Sequence, residues 1–230
     1  AASRSPMTTP PGFTPAPASE LRSGPAGAKR RLVLLHGWGA DAHDLLELGP
    51  LLVGPEVEVV ALQAPWPHPA GMGRQWYDLQ QPNWPELPGA RAALSQRLLE
   101  LSRELPLENT ILLGFSQGAA MVLDVGTLAE GLDGRSCAAL IGCSGYPHPG
   151  WDPQTPHKTK VLLTHGEQDP VVPFAASQAL QEQLQAAGHG VELLGFRGGH
   201  TIDEGLFPAM KRFIASQWPT PSSVQTLSAP

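Results

Sequence analysis

The sequence predicts an α/β protein: a mostly parallel sheet of six or seven strands, helices on both of its faces, and no large cap domain. Three observations point there. Short, almost wholly apolar runs recur along the chain, segments with helical periodicity separate them, and the length suits one domain. The chain has 230 residues, of which 41% are hydrophobic, and single α/β domains commonly run past 200 residues.

Six runs are the expected strands: residues 32–36 (LVLLH), 57–62 (VEVVAL), 111–115 (ILLGF), 137–143 (CAALIGC), 161–166 (VLLTHG) and 191–196 (VELLGF). Their nearly continuous apolar content suits parallel strands covered on both faces. Leu94, Leu98, Leu101 and Leu105 fall at helical spacing, with Arg97, Arg103 and Glu104 off the stripe. A mostly apolar helix is expected over residues 116–132. Leu180, Leu184 and Ala187 line another, which Gly188 is placed to end. Leu206, Met210, Phe213 and Ile214 line the last. Strand–helix alternation of this kind builds a parallel sheet.

Residues 1–28 hold six prolines and no apolar period, and residues 219–230 read alike. Both are expected to be tails around a single domain over residues 29–218. One internal stretch fits neither period. Residues 63–88 hold six prolines and three tryptophans, and an irregular connection of that length is usually functional.

Charge and composition narrow the partners. There are 15 Lys+Arg against 21 Asp+Glu, a net charge of −6, so a clustered basic excess for nucleic acid is missing. No apolar run approaches the length of a membrane span. The first twenty residues lack the apolar core of a secretory leader. The two cysteines, Cys137 and Cys143, lie six apart in one expected strand. Six strand residues span roughly 20 Å, too far for a disulfide, so both read as small buried hydrophobes.

The chemistry concentrates in Gly114-Phe115-Ser116-Gln117-Gly118, a G-x-S-x-G between an expected strand and an expected helix. That context presents a serine hydroxyl on a sharp turn at a sheet end. A serine that merely caps a buried helix is the weaker reading of strand, turn and helix together. A serine nucleophile needs a base, and the base needs an orienting acid. In this architecture they follow in the order serine, acid, histidine. Asp169 follows the strand 161–166 in HGEQDPVVP, and His200 follows 191–196 in RGGHT. Glu167 is the second candidate acid. His36 and His165 read as packing or turn residues, His189 as a helix-end residue facing the dipole, and His43, His68, His148 and His157 as loop or surface residues. The oxyanion donors are expected to be the backbone N–H groups of Trp38, in the turn after the first strand, and Gln117. Their amides are expected to matter more than their side chains.

The same turn, Gly37-Trp38-Gly39-Ala40-Asp41-Ala42, matches a dinucleotide-binding G-x-G-x-x-A. The acid that would hold a ribose is missing, because the next strand ends in Leu62-Gln63. No phosphate-binding P-loop motif and no H-E-x-x-H metal motif occurs.

With LHGWGADAHDL, QAPWP, RQWYD, GFSQGAAM, HGEQDPVVP and RGGHT in this order, the chain resembles the carboxylesterase–phospholipase family that includes the acyl-protein thioesterases. The resemblance covers residues 30–217. It implies an α/β-hydrolase fold, a Ser116–Asp169–His200 triad, a Trp38–Gln117 oxyanion hole, no cofactor or metal, and a cytoplasmic enzyme. The implied partner is a small acyl ester or thioester, and a homodimer is left open. Trp38 stands where the family usually has an aliphatic residue, Tyr77 where phenylalanine is common, and Ala119 where a second glycine is frequent. Acyl selectivity, not the chemistry, is what these departures touch. Trp66, Trp76 and Tyr146 are candidate substrate contacts, walls for an acyl chain beyond the strand ends. Packing under the long loop is the competing role for the aromatics, and Arg74 reads as solvated. Two alternatives to hydrolysis are an acyltransferase on the same fold and a non-catalytic protein that binds an apolar ligand.

Overall fold

In the computed structural model, residues 19–220 are described. In chain order the strands are β1 (Glu20–Ser23), β2 (Arg31–Leu35), β3 (Glu58–Leu62), β4 (Trp66–Pro67), β5 (Arg74–Gln75), β6 (Thr110–Phe115), β7 (Ala139–Cys143), β8 (Lys160–Gly166) and β9 (Gly190–Phe196). The helices are α1 (His43–Leu46), α2 (Leu48–Leu52), α3 (Leu87–Leu101), α4 (Gln117–Val125), α5 (Ala175–Ala186) and α6 (Phe207–Gln217).

Seven strands form one sheet in the order β1-β3-β2-β6-β7-β8-β9. All neighbours are parallel except β1, which runs antiparallel to β3. The side chains alternate as a pleat requires. Val33, Leu35, Val60, Leu62, Leu112, Leu140, Val161 and Leu163 pack in one core with residues of α3, α4 and α5. Leu32, Leu34, Val59, Ala61, Ile111, Leu113, Ile141 and Leu162 pack in the other with residues of α1, α2 and α6. Both faces are thus covered, which explains why the strands lack a polar alternation.

Three expectations are corrected. Glu20–Ser23 is a strand, so the amino-terminal tail ends before it; the expected tails over 1–18 and 221–230 lie outside the described residues. The strand ELRS carries no apolar run because its side chains are only half-buried on a sheet edge. It is fixed instead by charge: the Arg22 guanidinium meets Glu20, Glu58 and Glu104. Buried Arg31 reaches the same Glu58 and Glu104. Helix α4 stops at Val125 rather than running to 132; it is followed by Gly126, where a Cβ would lie 2.6 Å from the Leu140 side chain. Leu105 is buried but lies beyond the end of α3. Cys137 and Cys143 are free and buried, as expected, and burial pushes both thiols up to about 12.

Strand order reverses between β2 and β6, where the chain leaves one half of the sheet for the other. Crevices of open α/β sheets form at the carboxyl ends of such strands. Leu35 of β2 sits in register with Gly114 of β6, so the turns that follow the two strands are neighbours. Ser116 occupies the second turn with φ 55° and ψ −115°, left-handed backbone that a serine adopts at a cost. The flanking glycines make the turn feasible. A Cβ on Gly118 would lie 2.1 Å from the Leu35 carbonyl oxygen, and one on Gly114 2.3 Å from Gly118 backbone atoms. Both obstacles are main chain and cannot swing aside. Gly118→Ala is therefore expected to lower stability by about 3 kcal/mol, at the upper end of the cost of overpacking. Urea unfolding would read this as a lower midpoint at unchanged slope. A neutral Gly118→Ala would mean that the β2 and α4 backbones are not in contact.

Candidate active site

Helix α4 follows Ser116 without a break, and the turn is held from two sides. The Ser116 amide donates to the Cys143 carbonyl at the end of β7 (2.9 Å), and its carbonyl accepts from Ala120 in α4 (3.1 Å). His200 arrives on the loop after β9. That loop packs closely on the end of β8, where the Gln168 amide donates to the Gly198 carbonyl. The His200 Nε2 lies 3.0 Å from Ser116 Oγ, and its Nδ1 lies 2.7 Å from Asp169 Oδ2.

Asp169 is held in the turn after β8. Its Oδ1 accepts from the amides of Val171 (2.8 Å) and Val172 (2.9 Å). Burial alone would raise the carboxyl's pKa; the His200 hydrogen bond and the two amides outweigh it and leave the group below its ordinary value. Asp169 therefore stays ionised and accepts the Nδ1 proton of His200, which leaves Nε2 bare toward Ser116. Glu167 is exposed in the same turn, and the acid that meets the imidazole is Asp169. Buried His165 lies behind it, bonded to Ser177 (2.6 Å) and to the Val172 carbonyl (2.8 Å), with Nε2 3.4 Å from Asp169 Oδ2.

The amides of Trp38 and Gln117 have no hydrogen-bond acceptor among the described residues. They start the turns after the neighbouring strands β2 and β6, so two free N–H groups border the serine. The Gln117 side chain does more than the sequence suggested. It is fully buried, its Oε1 accepts from the Trp76 amide (2.9 Å), and its Nε2 donates to the Tyr77 carbonyl (2.8 Å). The residue after the serine thus clamps the tryptophan-rich segment onto α4. The Trp38 indole donates to Gln75 Oε1 (2.8 Å), and its ring meets His68 edge-on.

The rest of that segment is tied down in the same way. It contains the two-stranded β4–β5 ladder. Gly39 and Arg74 exchange bonds with the turn after β2, Gly39 N–H to Arg74 O and Arg74 N–H to Ala40 O. Arg74 is half-buried and tied down rather than free in solvent: its guanidinium donates to the carbonyls of Ala64 (3.0 Å) and Pro65 (2.6 Å). Trp76 is buried, with its indole N–H on the His36 carbonyl (2.8 Å). His36 is buried too, and burial lowers its pKa, so the neutral ring accepts from the Ala64 amide. Trp66 and Tyr146 are half-buried, and the Trp151 indole is buried on Thr127 Oγ1 (3.0 Å).

Two histidines expected elsewhere are core residues. His189 bridges the Thr159 amide and the Pro153 carbonyl rather than facing a helix end. His148 is buried between Asp124 and Tyr77. The sequence signal for the latter was a lone acid, Asp124, in an otherwise apolar helix. Among the described residues no group of three His, Cys, Asp or Glu side chains could hold a metal ion, and no helix is long and apolar enough to cross a membrane.

Comparison with known proteins gives the family and the fold. A model of the phospholipase/carboxylesterase family matches residues 17–218. Esterase YpfH of Escherichia coli (strain K12) is 32% identical over 187 residues, 76% of this chain and 78% of that protein. Acyl-protein thioesterase 1 of Neurospora crassa is 26% identical over 132 residues, 52% of this chain and 51% of that one. Among solved structures, esterase PE8 is 29% identical with a TM-score of 0.78, covering 88% of this chain and 100% of its own. A Bacillus cereus carboxylesterase shares the fold, at 22% identity and a TM-score of 0.76, over 87% of this chain and 95% of its own. With the family's model spanning the sheet, the serine turn and the histidine loop, the chain belongs to the phospholipase/carboxylesterase family and is an esterase-type hydrolase of the α/β-hydrolase fold.

Proposed function

We propose that the protein is a serine hydrolase that cleaves carboxylic esters through an acyl-enzyme on Ser116, with thioesters as a second substrate class. One observation carries the reading: a single imidazole spans the serine hydroxyl and a buried, ionised carboxylate. The similarity to an acyl-protein thioesterase supports the thioester arm.

In this mechanism His200 Nε2 takes the Ser116 proton as Oγ attacks the acyl carbonyl. Asp169 keeps the ring in the required tautomer and stabilises the imidazolium. The Trp38 and Gln117 amides donate to the tetrahedral oxyanion, where fixed donors act without reorganisation. His200 then protonates the leaving alcohol or thiol and next activates water to release the acid. The reading places the enzyme in the cytoplasm, as the family resemblance implies.

Ser116→Ala is expected to lose on the order of 10⁶ in kcat, the scale of whole-triad disruption. Asp169→Asn should fold and lose about 10⁴, because the amide favours the wrong tautomer, while Glu167→Gln should stay near wild type. Steady-state hydrolysis of a p-nitrophenyl ester measures all three. Near-normal activity of Ser116→Ala would remove the nucleophile, and reversed results for the two acids would move the acid to Glu167.

Access follows from the tethers. Between β7 and β8 no helix or strand intervenes, and the tryptophan-rich segment is bonded to the turn after β2, to α4 and to itself. Closing lids need mobile hinges, and this segment is a fixed wall. Rate against concentration is therefore expected to saturate smoothly through the solubility limit of p-nitrophenyl esters, with short-to-medium chains preferred. A jump in rate once aggregates form would reveal a moving cover.

A further inference from the structure

The reaction assigned to Ser116 leaves one buried polar chain unused. Helix α4 is buried on every side, and its single charged residue is Asp124. Asp124 Oδ2 meets Arg91 Nε of α3 at 2.6 Å and His148 Nδ1 at 2.5 Å. His148 Nε2 meets the Tyr77 hydroxyl at 2.7 Å, and that hydroxyl meets the Tyr146 hydroxyl at 2.7 Å. Asp124, His148 and Tyr77 are buried, and only the two ends, Arg91 and Tyr146, reach solvent. A buried ion pair is seldom more stabilising than the apolar residues that could replace it, so stability alone does not account for this chain.

With a neutral His148 ring, the hydrogen bonds of this chain have one direction. The Asp124 carboxylate, neutralised by Arg91, can only accept, so His148 carries its proton on Nδ1. The bare Nε2 then accepts the Tyr77 proton, and the Tyr77 oxygen accepts the proton of Tyr146. Burial, reinforced by the neighbouring hydroxyl, holds Tyr77 as a neutral phenol, and burial does the same for Tyr146. Tyr146 therefore has no proton left for a ligand. It lies on the segment that leaves β7 at Cys143, whose carbonyl receives the Ser116 amide, and Ser144 turns that segment sharply with φ 54°. Tyr146 thus stands beyond the same carboxyl end of the sheet as the serine, with Trp84 against its ring at 5.7 Å between centroids.

We propose that Asp124, His148 and Tyr77 form a positioning relay that takes up the hydroxyl proton of Tyr146, and that Tyr146 is thereby a specificity residue favouring apolar acyl groups over acyl groups that carry a hydrogen-bond acceptor. The proposal rests on the serine-hydrolase reading of the same site.

The test compares two nearly isosteric substrates, p-nitrophenyl butyrate and p-nitrophenyl methoxyacetate, which differ by one ether oxygen. Tyr77→Phe removes the acceptor and frees the Tyr146 proton. The methoxyacetate-to-butyrate ratio of kcat/KM is expected to rise roughly 3–10-fold over wild type, the worth of one neutral hydrogen bond. The double variant Tyr77→Phe/Tyr146→Phe should return to the wild-type ratio. An unchanged ratio in Tyr77→Phe, or a rise that persists in the double variant, would overturn the relay. Nitrogen NMR of wild-type His148 tests the direction without any variant: a proton on Nδ1 and a bare Nε2 are expected, and a proton on Nε2 overturns the proposal. Labelling of the wild-type enzyme by a fluorophosphonate separates the two readings. No label on Ser116 would sink the serine-hydrolase reading itself, whereas a labelled enzyme with an unmoved ratio sinks only the relay.

Discussion

The site depends on a backbone approach that no side chain could occupy. Where β6 becomes α4, Gly118 lies against the Leu35 carbonyl and Gly114 against Gly118 itself. This contact fixes the distance between the turn after β2 and the turn after β6, and so the separation of the Trp38 and Gln117 amides. It also forces Ser116 into left-handed backbone, which lifts its side chain off the helix end. The strain at Ser116 is balanced by a helix buried on every side. A local conformational cost of this kind persists only where the surroundings over-determine it.

The second layer of the site is built from main-chain bonds. Gln117 grips Trp76 and Tyr77, Arg74 grips Ala64 and Pro65, and the Trp76 indole grips His36. A segment without regular periodicity is thereby held as firmly as a strand. The same residue, Gln117, serves the proposed oxyanion hole through its amide and the cleft wall through its side chain. The serine turn and the wall therefore cannot shift independently. Asp124, about two turns further along the same helix, ties the 144–151 segment and α3 to that unit.

The sheet was legible because both of its faces are covered: strands buried on two sides become short apolar runs, and five of the seven sheet strands announce themselves so, while β9, half-buried at the other edge, still carries an apolar run. β1 did not, because an edge strand held by Arg22 and its acids needs no apolar run. The residues around the serine were legible through spacing and chain order, since an acid or a histidine just past the end of a buried strand has few structural uses. His148 and Arg74 were misread for a common reason. Both bury a polar group whose partner is brought in by the fold, an Asp124 carboxylate in one case and two backbone carbonyls in the other, and sequence spacing carries no trace of such partners. The end of α4 was set by Gly126 closing on Leu140, a packing limit rather than a change in apolar pattern.

The central claim is that an acyl group passes through Ser116. The most direct measurement mixes the enzyme with p-nitrophenyl trimethylacetate, whose hindered acyl group slows the second step, and quenches the mixture in acid within milliseconds to seconds. Peptide mass spectrometry then locates the acyl group. The account predicts a burst of p-nitrophenol equal to the enzyme present and a trimethylacetyl group on the peptide that contains Ser116. An acyl group on another residue, or p-nitrophenol release with no acylated peptide at any time, would contradict it.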